Sequence, residues 1–380
     1  MAVERHLPTE EATALLDLTR ELAREELAPR VTAYEADSRF PREVFSTLGK
    51  SGLLGLPYPE EHGGGGQPYE VYLQVVEELA TVWATVAEGV SVHTLACFPL
   101  AEFGTDQQKA RWLPDLVGGE LLGGYCLSEP QSGSDAAAMV TRAVRDGDDY
   151  IVNGTKAWIT HGGEADFYSL LCRTSDEGSR GISCLLVEAS TPGVSAAEPE
   201  HKMGFTASTT AQVRYDDARV PGDRLIGSEG QGFKIALAAL DGGRLGIAAC
   251  AVGLAQGALD AALAWAQERR QFGRSLVEFQ GLAFMLADMA TGVEAGRSLY
   301  LEAARRRDRG EPFGKQAAMA KLYCTDMAMK VAIDAVQVFG GYGYVSDYPV
   351  ERYLREAKAL QIVEGTNQVQ RMVIARHLTR

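Results

Sequence analysis

The chain has 380 residues, 46% hydrophobic and 23% charged, with a formal net charge of −14. This is an ordinary globular composition, long enough for two or three subdomains and a large core. The acidic balance repels phosphate backbones and excludes nucleic acid as the expected partner.

No apolar run reads as long enough to span a bilayer, and no signal peptide is read after Met1, so no membrane association is expected. The six cysteines are scattered without a C-x-x-C pair. They read as buried thiols of a reducing, cytoplasmic compartment, with no metal site. The six histidines are equally scattered and read as surface or core residues.

The first 120 residues read as a helical domain. Thr9 can cap a helix whose first turn carries Glu10 and Glu11, and Leu15, Leu18 and Leu22 recur at helical spacing. Further helices are predicted over 42–50, 69–79 and 107–116, with Gly63 to Gly66 as a flexible turn. Residues 121–225 read as short strands: 139–145 and 150–160 joined at Asp146-Gly147, then 166–173, 181–188 and 211–220. They predict a small antiparallel β-barrel or sandwich. Residues 226–380 return to long helices, striped from Ile247 to Trp265, Leu282 to Tyr300, Met319 to Val338 and Asn367 to His377. Four such helices predict an antiparallel bundle. The fold class is therefore mainly α with a central β domain.

Four segments carry candidate chemistry. Tyr125 to Asp135 ends a strand in a loop rich in glycine and hydroxyls, suited to donate hydrogen bonds to a phosphate or a heteroaromatic edge; a plain loop fits as well. Trp158 and Thr160 share a strand face, either as core or as the wall of a planar cofactor with a donor at its edge. Gly340 and Gly341 end a helix, as a C-cap or as a close approach to a ligand. Glu364 follows Ile362 and Val363 and precedes Gly365-Thr366, where Thr366 can cap the last helix and Glu364 can partner its dipole.

At these segments the sequence closely resembles the acyl-CoA dehydrogenases, especially their short- and medium-chain branch. Tyr125 to Asp135 matches the family's first signature, and Gln361 to Arg371 its second. Arg269 to Gly273, Gln280, and Gln337 with Gly340-Gly341 match cofactor segments between them, and the likeness runs from about Thr9 to Leu378. The resemblance implies FAD held between the β domain and the bundle. Tyr125, Leu127 and Ser128 would contact the flavin ring, with Gly133 and Ser134 near the pyrophosphate. Trp158, Ile159 and Thr160 would line the ring, Trp158 packing on it and Thr160 bonding near N5. Arg269, Phe272, Gln280, Gln337, Gly340 and Gly341 would reach the FAD of a neighbouring subunit, and Thr366 and Gln368 would complete the site. This implies a homo-oligomer, a tetramer built as a dimer of dimers, with an electron-transfer flavoprotein as electron acceptor.

Glu364 matches the family's catalytic base, which takes the α-proton of an acyl-CoA while flavin N5 takes the β-hydride to give the trans-enoyl thioester. Ser134, Asp241, Arg244, Val363 and Gly365 are the substrate-side residues the resemblance implies. Two positions depart from relatives. Val363 stands where many carry Tyr, and Gly243 stands near where another branch carries its base. Two alternatives share the scaffold: an oxygen-using oxidase, and a dehydrogenase of acyl groups on a carrier protein. A flavin-containing DNA-associated protein would need a basic face. Arg305 to Arg307, the one basic cluster, reads as a solvated helix end.

Overall fold

A computed structural model describes residues 3–379. Thr9 starts the first helix by accepting from Ala12 N at 3.0 Å, and α1 follows over Glu10–Leu22. Then come α2 (Val31–Ala36), α3 (Arg42–Lys50), α4 (Tyr69–Val82), α5 (Ala84–Phe103) and α6 (Asp106–Val117). The glycine run before α4 is not the flexible turn expected from its composition. Gly64, Gly65 and Gly66 donate backbone bonds to Pro59, Gly55 and Tyr58, and a Cβ at Gly64 would stand 2.3 Å from Tyr58 O. Glycine permits that close approach, and the bonds fix the loop.

Local patterning does not predict α5. Nearly all its side chains are buried, so no polar face gives it a period. It and Gly232–Glu268 (α7) are each long and apolar enough to cross a membrane by length and composition, which corrects the expectation that no such run exists. Their apolar windows are 89% and 78% buried inside the fold, as core helices are.

The middle region forms one eight-stranded sheet: β1 (Gly123–Cys126), β2 (Arg142–Asp146), β3 (Asp149–Thr160), β4 (Phe167–Arg173), β5 (Ile182–Glu188), β6 (Val194–Ala196), β7 (Thr210–Pro221) and β8 (Leu225–Ile226). The order is β6-β7-β3-β2-β4-β5-β8. The sheet is mixed, not wholly antiparallel, because β1 and β2 both pair with β4 in parallel. The turn after Asp146 closes the predicted hairpin, with Gly147 at φ 64°. β4 and β5 are buried on both faces. Phe167, Leu171 and Leu186 pack toward α5, α6 and α7, while Leu170, Leu185 and Val187 pack against Tyr150, Val213 and Tyr215 of β3 and β7. That double burial explains why these strands read as continuous apolar runs.

The C-terminal region holds α7, then a short β9 (Arg270–Gln271) and β10 (Arg274–Ser275) hairpin, α8 (Gln280–Asp308), α9 (Gly314–Phe339), α10 (Val350–Leu360) and α11 (Asn367–Leu378). Of these, α10 lies outside the predicted helices. It packs on α7 and α9 through Val350, Tyr353, Ala357 and Leu360, while α11 packs on α9. One continuous core joins α1 to α5 with α7 to α10, so the first and last helical regions share a hydrophobic interior. Glu35 ties that core to the β domain: it accepts from Trp83 Nε1 at 2.7 Å, Thr206 Oγ1 at 2.6 Å and Ala207 N at 3.1 Å. All six cysteines are buried and free.

Candidate active site

Glu364 stands in the turn between α10 and α11 with φ 51°, followed by Gly365 at φ 89°. A left-handed glutamate is costly and persists only where its surroundings hold it. Three contacts do so. Lys321 Nζ donates to Gly365 O at 3.0 Å and to Asn367 Oδ1 at 2.9 Å, and Gln370 Nε2 donates to Gly365 O at 2.8 Å. Thr366 caps α11 by accepting from Val369 N. The Glu364 carboxylate does not serve the α11 dipole; it turns onto α7 at Gly243. A Cβ on Gly243 would lie 2.0 Å from Glu364 Oε2, so glycine alone leaves room for the carboxylate.

Both carboxylate oxygens of Glu364 are buried with no hydrogen-bond partner among the described residues. Burial, with the Glu88 carboxyl nearby, pushes the Glu364 pKa up to about 8, against the pull of Lys321 and Arg244. Arg244 is buried on α7, and its Nη1 donates to Asp241 Oδ1 at 2.5 Å. Val363 packs against the main core beside the turn, and Gln368 is exposed on α11.

The β-domain segment comes close enough to this site for the Glu364 charge to act on Tyr125. Tyr125 and Leu127 are buried at the end of β1, and the Tyr125 hydroxyl has no partner among the described residues. Ser128 is half-buried, and Gly133 and Ser134 are exposed in the loop beyond. β3 breaks its pairing with β7 between Lys156 and Ile159, and Trp158 takes φ 61°. This bulge leaves Trp158 64% exposed with Ile159 buried, and it turns Thr160 toward α5, where its hydroxyl donates to Glu88 Oε1 at 3.1 Å.

A third group lies apart from these within the chain. Arg269, Gly340 and Gly341 line a cleft of about 690 Å³ walled by Trp265, Phe339, Tyr342 and Tyr348. Gly340 ends α9 as a C-cap at φ 63°, and a Cβ added at either glycine would meet no atom within 4 Å. Gln280 and Gln337 are exposed nearby in sequence, and Phe272 is 92% exposed at φ 51°.

Sequence reasoning missed Glu88, Lys321 and Gln370. Glu88 had a legible signal, a carboxylate set among the apolar residues that open α5. Gln370 stood unremarked within the Gln361 to Arg371 signature, five residues from Gly365, whereas Lys321 had no signal, because only the fold brings it to Gly365. It also missed what braces the signature loop. Lys156 donates to Glu129 Oε1 at 2.8 Å and Leu127 O at 2.9 Å, and Glu129 accepts from Val140 N at 2.6 Å and Thr141 N at 3.0 Å. His93 and His161 hold β1 by its backbone, through Gly123 N at 3.0 Å and Gly123 O at 2.9 Å; burial lowers their pKa values to about 3 and about 4. Arg305 and Arg306 pair with Glu70 and Glu302, but Arg307 is not a solvated end. Its guanidinium lies 3.5 Å over the Tyr69 ring and lines a narrow cavity beside Gly242 and Gly243.

The unpartnered Tyr125 hydroxyl and the presented indole of Trp158 fit the ring of a large planar cofactor. Comparisons with known proteins agree. Family models described as the N-terminal, middle and C-terminal domains of acyl-CoA dehydrogenase match residues 9–120, 124–218 and 230–379. An acyl-CoA dehydrogenase of Bacillus subtilis is 44% identical over 97% of this chain and 98% of its own. A short-chain-specific acyl-CoA dehydrogenase of Clostridium acetobutylicum is 44% identical over 98% and 99%. Among solved structures, butyryl-CoA dehydrogenase from Megasphaera elsdenii superposes with a TM-score of 0.97 at 41% identity, covering all of both chains. A chain from a structure described as the electron transferring flavoprotein of Acidaminococcus fermentans does so with 0.97 at 44%, again over all of both chains. The chain belongs to the acyl-CoA dehydrogenase family and is an FAD-dependent oxidoreductase acting on acyl-CoA.

Proposed function

We propose that this chain introduces the α,β double bond of an acyl-CoA thioester, with Glu364 as the base. The observation that carries the reading is the Glu364 carboxylate: buried, with both oxygens unpartnered among the described residues, against the bare backbone of Gly243. An α-proton is weakly acidic, and a desolvated carboxylate of raised pKa is basic enough to take it.

Tyr125, Leu127, Ser128, Trp158, Ile159 and Thr160 would hold the flavin ring. Gly133 and Ser134 would hold its pyrophosphate, and Thr366 and Gln368 would complete the site. FAD, when bound, supplies the acceptor for the hydride leaving the β-carbon. The rest of the work belongs to the chain. Glu364 accepts the α-proton on a carboxylate oxygen. Its own backbone N–H, for which no acceptor stands among the described residues, would donate to the thioester oxygen as negative charge develops there. Arg244 and Lys321 keep part of the base ionised despite burial. The Gly365 carbonyl, clamped by Lys321 and Gln370, fixes the base's backbone. Val363 leaves room beside the reacting carbons that a tyrosine would fill.

Arg269, Phe272, Gln280, Gln337, Gly340 and Gly341 would complete the cofactor site of a neighbouring copy, in a tetramer arranged as a dimer of dimers. An electron-transfer flavoprotein is the proposed oxidant of the reduced enzyme, a reading supported by the Acidaminococcus structure. The test is anaerobic titration of the oxidised holoprotein with straight-chain and branched acyl-CoAs. Loss of visible flavin absorbance, with the enoyl thioester recovered, is expected. Tight binding of several acyl-CoAs with no loss of absorbance would contradict the reading.

A further inference from the structure

Glu364 stands midway along its turn, three residues after Gln361 and three before Asn367. The two ends of that turn meet, because Asn367 N donates to Gln361 O at 3.0 Å. Facing them is one stretch of α9 that carries Lys321, Thr325 and Asp326. Asp326 spans the junction. Its Oδ1 accepts from Gln361 Nε2 at 2.7 Å and from Asn367 Nδ2 at 2.7 Å, and its Oδ2 accepts from Arg371 Nη2 at 3.2 Å. One carboxylate oxygen therefore ties the residue that enters the turn to the residue that leaves it.

Both partners are themselves fixed. Gln361 Oε1 accepts from Lys358 Nζ at 2.9 Å, which holds the other end of the same amide. Asn367 is buried; its Oδ1 accepts from Lys321 Nζ at 2.9 Å, and its Nδ2 also donates to Thr325 Oγ1 at 2.9 Å. The Asp326–Arg371 ion pair is exposed on both sides and contributes little. The bonds that matter are the two short ones from the turn to a charged acceptor. Between them Glu364 keeps its left-handed backbone, a conformation that relaxes unless its surroundings hold it. Lys321 and Gln370 fix the carbonyl that follows the base, while Asp326 fixes the span across it. That span has little slack, since the carboxylate fits on α7 only where Gly243 lacks a Cβ.

We propose that Asp326 is a positioning residue for the base: by clasping Gln361 to Asn367 it holds the Glu364 carboxylate on Gly243, and it acts through the turn alone. The inference rests on the dehydrogenation reading, in which a displaced base slows removal of the α-proton and leaves ground-state binding of the thioester intact.

The test is rapid anaerobic mixing of holoprotein with butyryl-CoA, hexanoyl-CoA and isobutyryl-CoA, for the parent, Asp326→Ala and Asp326→Asn. The dependence of flavin reduction on thioester concentration gives the limiting rate and the dissociation constant separately. Asp326→Ala should lower the limiting rate roughly tenfold, with the dissociation constant, Tm and ratio of flavin to protein absorbance at parent values. Asparagine keeps an acceptor oxygen for both amides and loses the charge, so Asp326→Asn should stay within about threefold of the parent rate. An unchanged limiting rate in Asp326→Ala overturns the proposal. So does a fall that comes only with weaker binding, lost flavin or a lower Tm, which marks a merely structural contact, and so does an Asn variant as slow as the Ala variant. A parent that none of the three thioesters reduces would count against the dehydrogenation reading instead.

Discussion

At position 364 the backbone adopts φ 51°, and the carboxylate it carries rests on a glycine. On the proposed reading that carboxylate is the base, and burial raises its pKa to about 8. So kcat/KM should climb as pH rises through about 8 and level off above it. Glu88 is a raising cause, and its own pKa, pushed up by burial, is about 7, so it is ionised where Glu364 titrates. Glu88→Gln should therefore move the midpoint of the profile downward; an unmoved midpoint would separate the two carboxyls. Gly243→Ala places a Cβ where Oε2 stands, 2.0 Å away. Alanine favours the helix, so α7 should persist, while flavin reduction should fall ~10²-fold from misplacement of the base. A rate within threefold of the parent (a margin of roughly 0.65 kcal/mol) would show that the base does not lie on Gly243. The sequence made Glu364 legible through its neighbours in the chain. Gly243 could be read only as an absent side chain, since its contact comes from a residue 121 positions away in sequence (364 − 243).

At the scale of elements, the strands and most helices follow local chemistry: Thr9 and Thr366 cap where their hydroxyls predict, and Asp146-Gly147 turns β2 into β3. Two helices escape for opposite reasons. α5 has almost no polar face, so its apolar residues show no helical period. α10 is amphipathic, with Val350, Tyr353, Ala357 and Leu360 on one side and Glu351–Arg355 and Arg352–Glu356 pairs on it, but it is short and charge-rich. The brace under the signature loop is also invisible in the sequence, because Glu129 and Lys156 meet only once β3 folds beside β1. Both side chains are fully buried. Lys156→Met would leave Glu129 buried and charged with only its neutral donors, at a cost of up to about 3–5 kcal/mol. A marked fall in Tm together with weaker FAD retention is expected. An unchanged Tm with normal FAD content would deny the brace its role.

At the scale of the molecule, the mainly helical architecture around a central sheet is legible from periodicity alone. The shared core of the first and last helical regions is not, since sequence shows which residues are apolar and not which regions they join. The same limit applies to the cofactor site. Thr160 bonds to Glu88, whose carboxyl acts on Glu364, whereas Arg269, Gly340 and Gly341 line a separate cleft. If that cleft serves a neighbouring copy, Arg269→Ala should weaken FAD retention and oligomer stability together, because ligand binding and assembly are linked. Light scattering and the ratio of flavin to protein absorbance check both. Loss of FAD from an oligomer that dissociates no more readily than the parent would place the whole site within one chain.

The most direct measurement is rapid anaerobic mixing of oxidised Glu364→Gln holoprotein with a thioester that the parent reduces. Glutamine keeps the shape at 364 and removes the base. The thioester should still bind and perturb the flavin spectrum, while flavin reduction slows by at least ~10²–10⁴-fold. Reduction at the parent rate would contradict the assignment of Glu364, because another group would then be taking the α-proton.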